Sequence, residues 1–301
     1  MALEIRPTGA TLGAVVTGVR LATLAESEWA ALERAFHEHA LLIFPAQHLA
    51  RAEQAAFARR FGEFDSLVAG TGGTVAVSNL RPDGTLRAND DAIKQILLGN
   101  EGWHTDSSYM PVSARASMLS AEVVTETGGE TEWADMRAAF DALDAATRER
   151  IAGLAAFHSL AHSQARAGYV AKSASYSYGV SDELEPPLRP LVKLHPVTGR
   201  PALFIGRHAY GIPGLSAEES ERLLDELLAF ACQPPRVHTH RWRPGDAAIW
   251  DNRCLLHRAR PYDPGVPRVL HHTRIAGDPV TERGLAGASP GAPAALRPTP
   301  R

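Results

Sequence analysis

The sequence predicts a mainly β protein of barrel or jelly-roll type with flanking helices, and three observations lead there. Strand-like apolar runs occur in both halves of the chain, most densely at 237–242, 247–251 and 269–276. No strand–helix–strand alternation with a glycine-rich phosphate loop is present, which disfavours a nucleotide-binding sheet. Two long polar stretches, 81–102 and 161–187, separate the elements. The first is long for a structureless connection in a compact domain and reads as a functional lid.

The elements follow in order. A helix over 27–39 takes Ser27 as its cap and sets Trp29, Leu32, Ala35 and Phe36 on one face. Residues 41–44 read as a short buried strand, and 50–61 as a helix with Ala55, Phe57 and Phe61 on its apolar side. Strands are expected at 74–80 and 118–124, then consecutive helices at 134–143 and 145–154. Residues 191–197 and 202–205 suit a hairpin around Thr198-Gly199-Arg200. The helix over 216–232 is amphipathic, with Ser216 and Glu219 forming a capping box. From Leu285 the chain turns to Ala, Pro, Gly and Arg, with too little apolar content to pack. The expectation is a single domain over 1–284 and a disordered Ala/Pro-rich tail over 285–301.

Composition bounds the function. The 301 residues are 45% apolar and 22% charged with a net charge of -3, and no basic run points to nucleic acid. Cys232 and Cys254 make no disulfide framework, so a reduced, cytoplasmic setting is the simpler reading. The N-terminus carries no secretion signal and no apolar run approaches a membrane span. Thirteen histidines exceed what packing needs, and each must be argued singly.

His104-Thr105-Asp106 is the feature that carries chemistry. On a strand, a spacing of two puts both side chains on one face, close enough to share an ion. His257, in the segment Trp250-Asp251-Asn252-Arg253-Cys254-Leu255-Leu256-His257, completes the two-imidazole, one-carboxylate set that holds non-heme Fe(II) with positions left open. Alone, a His-x-Asp pair also fits a surface turn. The hydroxyls of Thr105, Ser107 and Ser108 supply hydrogen bonds suited to supporting a metal.

The string Trp103-His104-Thr105-Asp106-Ser107-Ser108-Tyr109, then Gly128-Gly129-Glu130-Thr131, Trp250-Asp251-Asn252-Arg253, His257 and Arg268, resembles the taurine and 2,4-dichlorophenoxyacetate dioxygenases. The phenoxyacetate branch is the nearer, through Ser117-Met118-Leu119-Ser120-Ala121 and Phe204-Ile205-Gly206-Arg207-His208-Ala209. The resemblance implies a double-stranded β-helix of cupin-like type. It implies an Fe(II)- and 2-oxoglutarate-dependent dioxygenase with His104, Asp106 and His257 on iron. Arg268, helped by Thr131, would clamp the distal carboxylate of 2-oxoglutarate, a task suited to a bidentate cation. O2 and 2-oxoglutarate would yield succinate and CO2 while a small anionic organic substrate is hydroxylated. C–O or C–S cleavage follows where the hydroxylated carbon bears the heteroatom. Relatives form dimers or tetramers, so a homo-oligomer is expected, with no nucleic-acid or membrane partner.

The pattern also departs from the family. Alternation along 268–274 puts Arg268, Leu270, His272 and Arg274 on one face if no bulge intervenes. His272 stands where better-known members carry the arginine that grips the substrate anion, and histidine is a weaker, pH-dependent anion partner. Arg274 is a replacement charge from the same face. Arg207 and His208, just after a strand, are substrate-facing candidates, with Tyr109 and Tyr210 as an aromatic wall and Lys94 as a lid residue. His238 and His240 read as structural. Two other readings compete: a 2-oxoglutarate-binding sensor without turnover, and a Zn or Mn hydrolase. The second has no need for the Arg268 clamp.

Overall fold

The computed structural model describes residues 2–168 and 185–286. The later part of the polar stretch 161–187 and the tail beyond Ala286 therefore lie outside the described residues.

A seven-stranded sheet runs, in spatial order, through Glu4–Pro7 (β1), Ala14–Thr17 (β2), Leu41–Phe44 (β3), Ala247–Asp251 (β13), Ala116–Val123 (β5), Val269–Ile275 (β15) and Val75–Ser78 (β4). A smaller sheet orders Val237–His240 (β12), Thr131–Asp135 (β6) and Leu255–Ala259 (β14), all antiparallel. A third joins Ala209–Tyr210 (β11), Ala155–His158 (β7) and Leu188–Pro190 (β8), and Val192–Leu194 (β9) pairs with Pro201–Leu203 (β10) as the expected hairpin. The helices are Glu26–His39 (α1), Arg51–Ala58 (α2), Ser66–Ala69 (α3), Ala92–Gly99 (α4), Met136–Ala142 (α5), Ala145–Ile151 (α6), Leu160–Arg166 (α7) and Ala217–Ala231 (α8). Two facing sheets with helices outside agree with the jelly-roll expectation.

The central strands of the large sheet are apolar at consecutive positions because both of their faces are covered. On β3, Leu41 and Ile43 join one core and Leu42 and Phe44 the other. β13 divides in the same way, with Ala248 and Trp250 inward and Ala247 and Ile249 outward. The inner core continues into Trp133, Leu255 and Trp242 of the small-sheet side. The outer core packs against Leu32 and Phe36 of α1 and Phe57 of α2. The functional cavity opens between the inner faces.

Several local expectations shift. α1 begins two residues earlier than a Ser27 cap implies: Glu28 reaches back to the Ala25 N–H at 3.0 Å, so the acidic side chain replaces a hydroxyl cap. The 81–102 lid is not loop throughout. Asp91 accepts from the Ile93 N–H at 2.9 Å and caps α4. The 134–143 helix starts later than expected, since Ala134 and Asp135 belong to β6 and only Met136 onward is helical. Pairing with β12 and β14 on both sides overrides local propensity there. The 161–187 stretch opens as α7, capped by Ser159. Leu285 does not begin a free tail: its N–H donates to the Leu188 carbonyl at 2.7 Å.

Asp135 closes β6 and caps α5 while gripping the Arg137 guanidinium through two bonds of 2.9 and 3.1 Å. Both side chains are buried. Asp135→Ala leaves a buried arginine unpaired and a helix uncapped. Urea unfolding of this variant should show a loss of about 3–5 kcal/mol, whereas Arg137 and Asp135 replaced together by apolar residues should lose less.

Candidate metal centre

One backbone contact assembles the centre. His104 and His257 form an isolated antiparallel bridge, each N–H donating to the other's carbonyl at 3.0 and 2.8 Å. Their imidazoles come to the same side, with centroids 4.1 Å apart. Asp106 follows on the same face, and one ligand atom from each of His104, Asp106 and His257 lies within 4.8 Å of the others. Ser107, next in line, adopts φ 54, which turns the chain away after the carboxylate. A non-glycine residue there needs outside support, and Ser107 Oγ finds it by donating to Asp65 at 2.8 Å.

The protonation states suit metal binding. His104 Nδ1 sits 2.8 Å from the Gly102 carbonyl. A carbonyl only accepts, so Nδ1 carries the proton and Nε2 keeps its lone pair. Burial lowers the His104 pKa to about 4 and holds His257 well below the usual histidine range, with the neighbouring His104 adding to the effect. Both are neutral at neutral pH. Burial alone would raise the Asp106 carboxyl, but the nearby Arg274 guanidinium, the largest opposing influence, holds it well below its ordinary value. Two neutral imidazoles and one carboxylate are the donor set expected for Fe(II).

Ser117 and Asn252 support the carboxylate, and the sequence reading missed both roles. Ser117 Oγ donates to Asp106 Oδ2 at 2.7 Å and accepts from Asn252 Nδ2 at 2.8 Å. Asn252 Oδ1 in turn accepts from the Trp250 indole at 3.0 Å. The expected helpers act elsewhere: Thr105 donates to the Asn252 and Leu255 carbonyls, and the Ser108 carbonyl accepts from buried Arg189.

The face predicted along β15 holds despite a bulge at Val269/Leu270, and Arg268, Leu270, His272 and Arg274 all line the triad cavity. Arg268 is 5% exposed and so is a buried charge rather than a solvated one. Its guanidinium donates to the Gly129 carbonyl at 2.8 Å, and its backbone N–H to Asn79. Thr131 lines the same end, its hydroxyl accepting from Trp242 at 2.9 Å. His272 stacks parallel to Trp250 and lies 3.4 Å from Asp106, while Arg274 Nε lies 3.5 Å from the other carboxylate oxygen. Both face the triad, and Arg274 also lines the recess on the far side of His104.

On the other side of His104 a recess is lined by Ile96, Tyr109, Leu160, Gln164, Arg207 and His208. Arg207 donates to the Gly99 carbonyl and to Gln164, tying α4 to α7. His208 Nδ1 is held by Ser163 at 2.8 Å. Tyr210 stacks on His162 and is absent from this wall. Lys94 faces a third cavity, beyond Arg268, with its ammonium on Asn89 at 2.8 Å. Asn100, the residue that ends α4, lines all three cavities and went unnoticed in the sequence.

A second cluster, His37, His195 and Asp251, has ligand-like spacing but different bonding. His195 Nδ1 accepts from the Val197 and Thr198 N–H groups, so its Nε2 carries the proton and donates to Asp251 at 3.0 Å. Asp251 is also held by two Arg253 bonds of 2.8 and 2.6 Å. That cluster is a structural network. His240, 3.2 Å from Asp246, likewise has a structural partner.

His104, His158, His208 and His257 are all depressed, chiefly by burial. A histidine whose folded pKa is lowered contributes fully only above its unfolded value, about 6.5. As pH falls from there toward the folded value of about 4 at His104, the unfolded chain takes up protons that the folded chain does not. The urea midpoint of metal-free protein should therefore drop between about pH 7 and about pH 5. A midpoint that stays level would contradict buried neutral imidazoles.

Comparison with known proteins agrees with this geometry. The (S)-phenoxypropionate/alpha-ketoglutarate-dioxygenase of Sphingobium herbicidovorans is 56% identical over 291 residues, 95% of this chain and 99% of that protein. The alpha-ketoglutarate-dependent 2,4-dichlorophenoxyacetate dioxygenase of Cupriavidus pinatubonensis is 38% identical, covering 85% of this chain and 91% of its own. The crystal structure of AAD-2 in complex with Mn(II) and N-oxalylglycine superposes with a TM-score of 0.86 at 37% identity, over 95% of this chain and all of the other, a coverage of 100%. A family model described as taurine catabolism dioxygenase TauD, TfdA family, matches residues 4–275, and the chain belongs to that family.

Proposed function

We propose that this protein is the dioxygenase of an aryloxyalkanoate, with an (S)-2-aryloxypropionate as the first candidate substrate. The reaction class is that of an Fe(II)- and 2-oxoglutarate-dependent dioxygenase acting on a small anionic organic compound. The observation that carries the finer reading is a pair of adjoining cavities that share His104 and Asp106 and have a cation at each outer end. Buried Arg268 stands at one end and Arg207 at the other, with the triad between them.

In this reading His104, Asp106 and His257 hold the iron, with Ser117 and Asn252 orienting the carboxylate. Bound Fe(II) supplies the redox chemistry by which O2 and 2-oxoglutarate become succinate and CO2 and one oxygen atom enters a substrate C–H bond. Arg268, with Thr131 beside it, binds the distal carboxylate of 2-oxoglutarate. Arg207 offers the substrate carboxylate a permanent charge, His208 lies next to it, and Tyr109 gives the aryl ring an aromatic neighbour 5.0 Å from His208. His272 and Arg274 close the remaining side and hold Asp106 ionised. Apolar Ile96, Leu160 and Leu119 exclude water from the reacting bond. A hydroxyl placed on the carbon bearing the ether oxygen gives a hemiketal. It collapses to a phenol and a 2-oxo acid, the hydroxyl proton going to the departing phenolate. We further propose that residues 1–284 form one catalytic unit, and that the protein is a cytoplasmic homo-oligomer, checked by size-exclusion chromatography with light scattering.

Succinate release measured with Fe(II), ascorbate, 2-oxoglutarate and a panel of aryloxyalkanoates, sulfonates and sulfate esters tests the reading. Succinate should rise with (S)-2-aryloxypropionates, and Asp106→Ala should abolish it. Binding of 2-oxoglutarate with no succinate for any panel member would make the protein a sensor. Arg268→Met should raise KM for 2-oxoglutarate by about 10- to 100-fold, the loss of a charged, hydrogen-bonded pair.

Gly99 makes a separate prediction. A methyl group there would meet the Arg207 guanidinium, and one at Gly102 would press on its methylenes. Gly99→Ala displaces a flexible side chain rather than backbone. KM for the aryloxyalkanoate should therefore rise while KM for 2-oxoglutarate holds. An equal rise in both constants would remove Arg207 from substrate binding.

A further inference from the structure

We propose that 2-oxoglutarate enters and succinate leaves through the chamber lined by Lys94, Leu97, Leu98, Glu101, Tyr262 and Pro264, on the opposite side of α4 from the recess that takes the organic substrate. The proposal rests on the dioxygenase reading above and adds a second opening to it.

The periodicity of α4 divides the space. Lys94, Leu97, Leu98 and Glu101 are spaced three and four apart, and all face this chamber. Ile96 lies on the other side of the helix and lines the Arg207 recess. Asn100 lies where the two sides meet. The helix thus stands as a partition, pinned at its C-terminal end by the Arg207 bond to the Gly99 carbonyl.

The chamber leads to the cosubstrate end of the cavity. It shares Val77, Asn100, Ala259 and Arg268 with the triad cavity, so Arg268 belongs to the walls of both. The Tyr262 ring lies 5.3 Å from the Arg268 guanidinium carbon, on the chamber side. Outward, the chamber reaches solvent: Leu98 is 37% exposed, and Arg260 and Pro264 are exposed.

Its charge suits a dicarboxylate. Lys94, Arg260 and Arg268 set three cations against the single carboxylate of Glu101. A positive cleft with partly apolar walls concentrates an anion and leads it toward Arg268. A separate door also frees succinate to leave while an aryl product still fills the other recess.

Steady-state kinetics of the unaltered enzyme comes first. If it forms no succinate, the dioxygenase reading falls and the passage with it. If it does, two variants test the passage alone. Leu98→Trp, which narrows the chamber, should lower kcat/KM for 2-oxoglutarate several-fold, with kcat/KM for the aryloxyalkanoate unchanged at saturating 2-oxoglutarate. Leu98→Ala should show no loss. Lys94→Gln should lower kcat/KM for 2-oxoglutarate by about tenfold at low salt and flatten its dependence on ionic strength. Equal losses for both substrates, or wild-type constants for 2-oxoglutarate in both variants, would overturn the second opening. If Leu98→Trp fails to fold, the salt dependence of Lys94→Gln against the unaltered enzyme decides.

Discussion

The reciprocal bridge between His104 and His257 is the constraint on which the rest of the site depends. Two hydrogen bonds tie a segment that is not part of any regular strand to the middle of β14. The bridge sets the separation of two imidazoles, and the strand-like spacing then delivers Asp106 to the same face. Trp250 lies against both His257 and His272, so the inner core of the sandwich is also the floor of the site. Packing energy and ligand geometry reside in the same side chains, which makes the centre as rigid as the core.

Buried charge is the second organising force. Asp106 shares its two oxygens among Ser117, His272 and Arg274 contacts, and the net effect keeps it ionised in a buried site. Arg268 is equally buried and answered by the Gly129 carbonyl rather than by a carboxylate. Among the described residues no carboxylate forms an ion pair with Arg268, and a buried cation so placed suits an anionic ligand. Gly129 permits that approach, since a Cβ there would press on the Arg268 side chain and on Thr125. The contrast with Asp251 is instructive. There, His195 and Arg253 fully answer the carboxylate, and the resulting cluster holds the fold rather than an ion.

α4 links these two ends. Arg207 anchors it near the substrate recess, and Lys94 faces the chamber behind Arg268. The helix presents different residues to two cavities, and Asn100, just past its end, touches both. The triad cavity is thereby reached along two chemically distinct approaches, one aryl-lined with a permanent cation and one apolar with an excess of positive charge.

Read alone, the sequence pointed to His104, Asp106 and His257 as a ligand set and to the inward face of β15, while the reaction class came from its resemblance to the taurine and 2,4-dichlorophenoxyacetate dioxygenases. His-x-Asp spacing, a period of two and the character of imidazole and carboxylate are local properties, readable without coordinates. Helices with strong caps, such as Ser216 with Glu219, were equally legible, because capping is decided within four residues. Less legible were β6, whose Ala134 and Asp135 look helical in isolation, and α4, whose Asp91 cap was hidden in a polar stretch. Tertiary structure alone decided that Ser117 and Asn252 support Asp106, that Lys94 lies outside the triad cavity, and that His37, His195 and Asp251 form a structural network. Each of those outcomes depends on residues far apart in the chain meeting at hydrogen-bond distance. Such meetings are set by strand register and sheet packing, which no local pattern encodes.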